Sequence, residues 1–139
     1  MSDHENIDFM ELLGVRGAGA LDQKMGIRIL EATPSRLVAT MPVEGNTQAV
    51  GLLHGGASVV LAESLGSIGT ALHAGLDRRI VGVDINATHH RAVTKGTVTA
   101  VATPITLGKT LCSYEIVITD EDGNRTCTAR ITCLILAPR

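Results

Sequence analysis

Aromatic side chains are almost missing: 139 residues hold one Phe, one Tyr and no Trp. The net charge is −2, so a basic excess is missing as well. A nucleic-acid surface needs stacking rings or cationic stripes, and nucleic acid is therefore not expected as a partner. No run of 18 uncharged apolar residues occurs, so no membrane span is predicted. Cysteine is scarce, and Cys112, Cys127 and Cys133 form no C-x-x-C pair. An odd count does not close a disulfide framework. Cys127 and Cys133 fall on one predicted strand, about 20 Å apart along it and out of reach of each other. Three reduced, buried thiols are expected. The five His make no H-E-x-x-H or comparable ligand set, so no metal is expected. A G-x-S-x-G elbow is absent, which argues against a serine hydrolase. The acidic start Met1-Ser-Asp-His-Glu-Asn has neither the basic nor the apolar segment of a signal peptide, and a cytoplasmic location is expected.

What is present is an ordinary globular composition, 45% hydrophobic and 19% charged. The length fits one domain over residues 1–139, large enough to hold a core without staples. A short amphipathic helix or turn is predicted over 9–13, broken by R-G-A-G-A at 16–20. Strands are predicted over 26–32 and 35–43. In the second, Leu37, Ala39, Met41 and Val43 alternate with Arg36, Val38 and Thr40, the period of a half-buried strand. Further strands follow over 79–90, with a Val81, Val83, Ile85 face, and over 97–107, 111–119 and 126–136. Glu121-Asp-Gly-Asn makes a hairpin turn between the last two.

Residues 57–72 are too long for a strand. Between Gly45 and Leu76 the only formal charge is Glu63. A helix apolar all round is expected to be buried, and Ala62, Gly66 and Gly69 would let another backbone approach. Two strands, one buried helix and four strands make an α+β domain, its antiparallel twisted sheet wrapped around the helix.

Glu63 on such a helix should have a raised pKa unless tertiary partners compensate, which suits a catalytic carboxylate and a structural ion pair equally. His54-Gly-Gly56 stands where the helix begins. The N–H groups of Gly55 and Gly56 are free there, the dipole is positive, and no side chain obstructs a ligand oxygen. Gln48 lies in the uncharged loop before it, where it either polarises a carbonyl or is simply solvated.

Taken together, Q-A-V-G-L-L-H-G-G-A-S-V-V-L-A-E from Gln48 to Glu63 resembles the hotdog-fold acyl-CoA thioesterases of the glutamate-dependent group. D-I-N-A-T-H-H-R from Asp84 to Arg91 and L-G-K-T from Leu107 to Thr110 resemble it too, and the likeness covers nearly the whole chain. The group includes thioesterases for 4-hydroxybenzoyl-CoA and 1,4-dihydroxy-2-naphthoyl-CoA and a proofreading thioesterase of enterobactin synthesis. The resemblance implies that Glu63 is the nucleophile or the base that activates water. It implies that Gly55 N–H binds the thioester oxygen, Gln48 supports that polarisation, Ser67 bonds the water or the glutamate, and His54 positions the attacking group by ring or carbonyl. By the same resemblance Arg91, Lys109 and Thr110 would meet the CoA phosphates, with His89 a further candidate; of His89 and His90, one is expected to face the pocket and the other solvent. Val59, Val60, Ser64 and Ile68 line the acyl pocket, and aroyl-CoA is the favoured substrate. No cofactor is expected beyond the CoA of the substrate.

Two alternatives share the fold: a hydratase or dehydratase using His54 with Glu63, and a non-enzymatic acyl-CoA binder. Gly55 and Glu63 are eight residues apart, about 12 Å of helix rise, too far for both to reach one carbonyl. Active sites shared across a dimer are therefore expected, and the resemblance implies the same arrangement with dimers paired into tetramers.

Overall fold

The computed structural model describes residues 19–138. In chain order these form α1 (Ala20–Met25), β1 (Arg28–Thr33), β2 (Arg36–Pro42), α2 (Gly55–Ala74), β3 (Arg79–His89), β4 (Thr97–Leu107), β5 (Leu111–Thr119) and β6 (Arg125–Leu136). The predicted helix over 9–13 lies outside the described residues. α1 has no counterpart in the prediction, because six residues are too few to display a period.

The six strands make one antiparallel sheet in the order β1-β2-β4-β5-β6-β3, with α2 packed on its inner face. Alternation drives this. Leu37, Ala39, Met41 and Val43 point inward and are buried, as the period predicts, and Ala100, Ile116, Ile118 and Ile131 do the same on neighbouring strands. Leu61 and Leu65 of α2 are fully buried among them, each contributing roughly 1.5–3 kcal/mol. Gly66 and Gly69 do permit close approach, though to side chains rather than to another backbone. A Cβ on Gly66 would meet Ile131, and one on Gly69 would stand 2.6 Å from the Tyr114 ring.

Two expectations need correction. The helix is not buried all round: Glu63 is exposed, and Val59, Val60, Ser64, Ser67 and Ile68 are only half-buried. The apolar composition of α2 therefore leaves one face uncovered in the single chain. Nor do Val81 and Val83 share a face with Ile85. β3 pairs with β6 as Gly82↔Cys133 and then Asp84↔Thr132, so Val83 is the extra residue of a bulge. The bulge resets the alternation. Ile80, Gly82, Ile85, Ala87 and His89 stand opposite inward residues of β6, while Val81 and Val83 are 42% and 56% exposed.

Cys112, Cys127 and Cys133 are free and buried, as expected. Burial pushes all three thiols above the usual range. Among the described residues no helix is long and apolar enough to cross a membrane.

Candidate active site

The loop from β2 to α2 is an ordered platform. Asn46 Nδ2 donates to the carbonyls of Met25 and Pro42 at 2.7 and 2.8 Å. Thr47 and Leu53 form a bridge, and Leu53 N–H donates to the Val93 carbonyl at 2.7 Å. Gln48 sits inside this framework. Its Oε1 accepts from the N–H groups of Val50 and Leu52 at 2.6 and 3.2 Å. Because the oxygen is held by two backbone donors, the amide orientation is determined, and the Nε2 hydrogens point away from the turn. A loop glutamine is thereby converted into a fixed donor.

His54 caps α2: its Nδ1 accepts from Gly56 N–H at 2.8 Å, and its carbonyl accepts from Ala57 N–H at 2.9 Å. This corrects one expectation. Of the two glycine N–H groups, Gly56 is taken by the cap, and only Gly55 N–H is without a hydrogen-bond partner among the described residues. The His54 Nδ1 and carbonyl oxygen both take part in starting the helix. A cap through Nδ1 places the ring proton on Nε2.

Gln48, Gly55, His89 and Arg91 line one cleft of about 390 Å³, together with His90 and Thr126. Both histidines therefore border it, where one alone was expected. They are held differently: His90 Nε2 lies 2.9 Å from Thr128 Oγ1, whereas His89 faces the start of α2. Arg91 Nε lies 3.8 Å from Asp120 Oδ2.

Glu63 lies elsewhere. With Ser67 it lines a second cleft of about 440 Å³, alongside Leu21, Asp22, Val60, Ser64 and Ile68. Val60, Ser64 and Ile68, expected to line the acyl pocket, share this cleft with Glu63, whereas Val59 is not among its lining residues. Asp22 is unforeseen there; its Oδ1 accepts from Ser64 Oγ at 2.7 Å and ties α1 to α2. The Glu63 carboxylate is exposed and makes no hydrogen bond or ion pair among the described residues.

Lys109 occupies a third cleft, of about 420 Å³, at the C-terminal end of α2 with His73 and Arg78. Thr110 is exposed beside it, its carbonyl accepting from Ile135 N–H at 2.8 Å. One chain therefore brings Gln48, Gly55, His89 and Arg91 together and leaves Glu63 with Ser67, and Lys109 with Thr110, apart. Among the described residues no three His, Cys, Asp or Glu side chains gather as metal ligands would.

The profile of the thioesterase superfamily matches residues 50–127, from the platform loop through α2 into β6. The chain belongs to the thioesterase superfamily. It is 43% identical over 128 residues to the proofreading thioesterase EntH of Cronobacter turicensis, covering 91% of this chain and 93% of that one. It is 42% identical over 128 residues to the 1,4-dihydroxy-2-naphthoyl-CoA hydrolase of Escherichia coli, covering 91% and 94%. A crystal structure of a thioesterase from Haemophilus influenzae superposes with a TM-score of 0.87 at 37% identity, over 95% of this chain and 93% of that one. This thioesterase has the hotdog fold, its sheet wrapped on α2, and it is a thioester hydrolase. Its chemistry calls for donors to the carbonyl oxygen and a group that delivers or activates the attacking oxygen. The first cleft supplies donors, and the second supplies a carboxylate.

Proposed function

We propose that this thioesterase hydrolyses acyl-CoA, with aroyl-CoA favoured, in sites built by two chains. The observation that carries the proposal is the separation of Gly55 and Gln48 from Glu63 into different clefts of one chain. Donor and attacking group must approach the same carbonyl carbon within about 3 Å. One straight α2 does not allow that. Two copies of α2, antiparallel across a two-fold axis, bring the start of one helix to the middle of the other.

The exposed edge supports this assembly. β3 is the last strand of the sheet, with Val81 and Val83 exposed along it, and Glu63 is exposed beside it. A second copy docking there covers apolar surface and an open strand edge. Dimers then pair into a tetramer.

In the assembled site, Gly55 N–H and the Gln48 amide donate to the thioester oxygen as it gains charge. Glu63 of the second chain attacks the carbonyl carbon to give a mixed anhydride that water then cleaves to the free acid, or takes the proton of an attacking water held by Ser67. The CoA thiolate departs, and its phosphates meet Arg91, with Lys109 and Thr110 brought from another chain. Val60, Ser64 and Ile68 hold the acyl group. The names of the relatives, a proofreading thioesterase and an aroyl-CoA hydrolase, support an acyl-CoA substrate and the aroyl preference. Hydration of an enoyl group by His54 with Glu63 fits less well, because it leaves the fixed Gln48 donor without a task.

Two measurements test this. Thiol release is followed across benzoyl-CoA, 4-hydroxybenzoyl-CoA and straight-chain acyl-CoA. Free CoA with the aroyl substrates fastest is expected; no release from any of them overturns the proposal. Gln48→Ala and Glu63→Ala, each inactive, are then mixed under conditions that exchange subunits. Shared sites regenerate one intact site per mixed dimer and recover activity. Mixed dimers seen by mass without recovered activity would rule sharing out.

A further inference from the structure

His89 ends β3 on its inward face, opposite Cys127 of β6, so a strand rather than a loop carries its ring. The ring meets the start of α2 edge-on with Nε2 leading. A Cβ built on Gly55 would stand 2.8 Å from His89 Nε2, 3.2 Å from Cε1 and 3.3 Å from Cδ2. Among the described residues neither Nε2 of His89 nor the N–H of Gly55 has a hydrogen-bond partner. His89 thus packs against Gly55 from a separate element, and both residues border the cleft into which Gln48 is fixed as a donor. The neighbouring titratable groups are otherwise engaged: His90 with Thr128, His54 with Gly56, and Arg91 with Asp120.

Contact with Gly55 sets His89 at the thioester end of a bound acyl-CoA, because the pantetheine arm keeps the phosphates well away from the thioester carbon. We propose that His89 donates from Nε2 to the thioester oxygen, as a third donor beside Gly55 N–H and the Gln48 amide. This rests on the acyl-CoA hydrolase function proposed above. No proton is transferred; the hydrogen bond strengthens as the oxygen becomes negative, which is how a donor lowers a barrier rather than merely binding substrate. The contact also gives Gly55 a second reason to lack a side chain, since a Cβ there would displace the imidazole.

The test compares parent, His89→Ala and His89→Gln on benzoyl-CoA and on the benzoyl thioester of N-acetylcysteamine, which has no phosphates. The Gln side chain returns an N–H donor close to the position of imidazole Nε2. For His89→Ala, kcat is expected to fall by about 10- to 100-fold, by the same factor on both substrates. KM changes little, and His89→Gln recovers most of the loss. A KM increase confined to benzoyl-CoA, with kcat on the truncated thioester unchanged, would make His89 a phosphate ligand and overturn the proposal. Equal kcat loss in the Gln and Ala variants, both folded by thermal melt, would also overturn it. A parent inactive on both thioesters would instead sink the hydrolase function on which it rests.

Discussion

The Glu63 carboxylate lies against Gly82: a Cβ built on the glycine would stand 3.0 Å from Glu63 Oε1. Gly82 is the inward residue just before the β3 bulge, so the missing side chain makes room for the carboxylate at the open edge of the sheet. No hydrogen bond among the described residues holds Glu63, which leaves this steric seat as what sets its place in the single chain.

Gly82→Ala is expected to push the carboxylate aside by a few tenths of an ångström. Since the backbone there is extended and exposed, Ala fits the strand and lowers the conformational entropy of the unfolded chain, which favours the folded state. The expected outcome is a kcat lowered several-fold with Tm unchanged or raised, read from steady-state kinetics and a thermal melt. An unaltered kcat would show that the seat does not matter.

Gln48→Glu separates the two ends of the glutamine. The carboxylate keeps an oxygen to accept from Val50 and Leu52 N–H, so the loop and Tm should survive. The donor becomes a negative charge facing the developing oxyanion. A fall in kcat of about 100-fold is expected; loss of Tm instead would assign Gln48 to the loop alone.

Arg91→Ala and Lys109→Ala should each raise KM for an acyl-CoA and leave kcat nearly unchanged, because a distant phosphate contact is the same in ground and transition states. Both effects should vanish with N-acetylcysteamine thioesters. The two residues border different clefts of one chain. An effect of Arg91→Ala with none from Lys109→Ala would therefore confine phosphate recognition to the first cleft.

Asp120 holds the β5–β6 turn, its Oδ1 accepting from Asn124 and Asp122 N–H at 2.9 and 3.0 Å. The Asn124 N–H foremost holds the carboxyl below its usual range; desolvation, next in size, opposes it, and the Asn124 side-chain amide, the Asp122 N–H and the Arg91 guanidinium add to the lowering. A carboxyl depressed by folding stabilises the protein above its unfolded pKa, about 3.9, and that contribution is lost as pH falls through the lower folded value. Asp120→Asn should therefore melt below the parent at pH 7, and the gap should close in acid below about pH 4. A gap that stays constant with pH would mean the charge is not what stabilises the turn.

The order of elements was legible along the chain because strand alternation, helix length and turn residues are local properties. Thr97–Leu107 and Leu111–Thr119 match their predicted limits, and α2 extends the predicted 57–72 by two residues at each end. The Gly-Gly helix start and Glu63 could likewise be singled out by type and spacing. The bulge at Val83 could not, since an extra residue is invisible until β3 is laid on β6, and it puts Val81 on the opposite face from Ile85.

The amino-acid sequence by itself determined that a long uncharged helix with one carboxylate would lie among Thr- and Val-rich strands, behind a glycine-rich start. Tertiary structure alone decided which helix face stays open, which way the Gln48 amide points, and that His89 meets Gly55 while Glu63 meets Gly82. Those outcomes depend on contacts between residues far apart in the chain, formed by strand register and packing, and no local period or spacing encodes them.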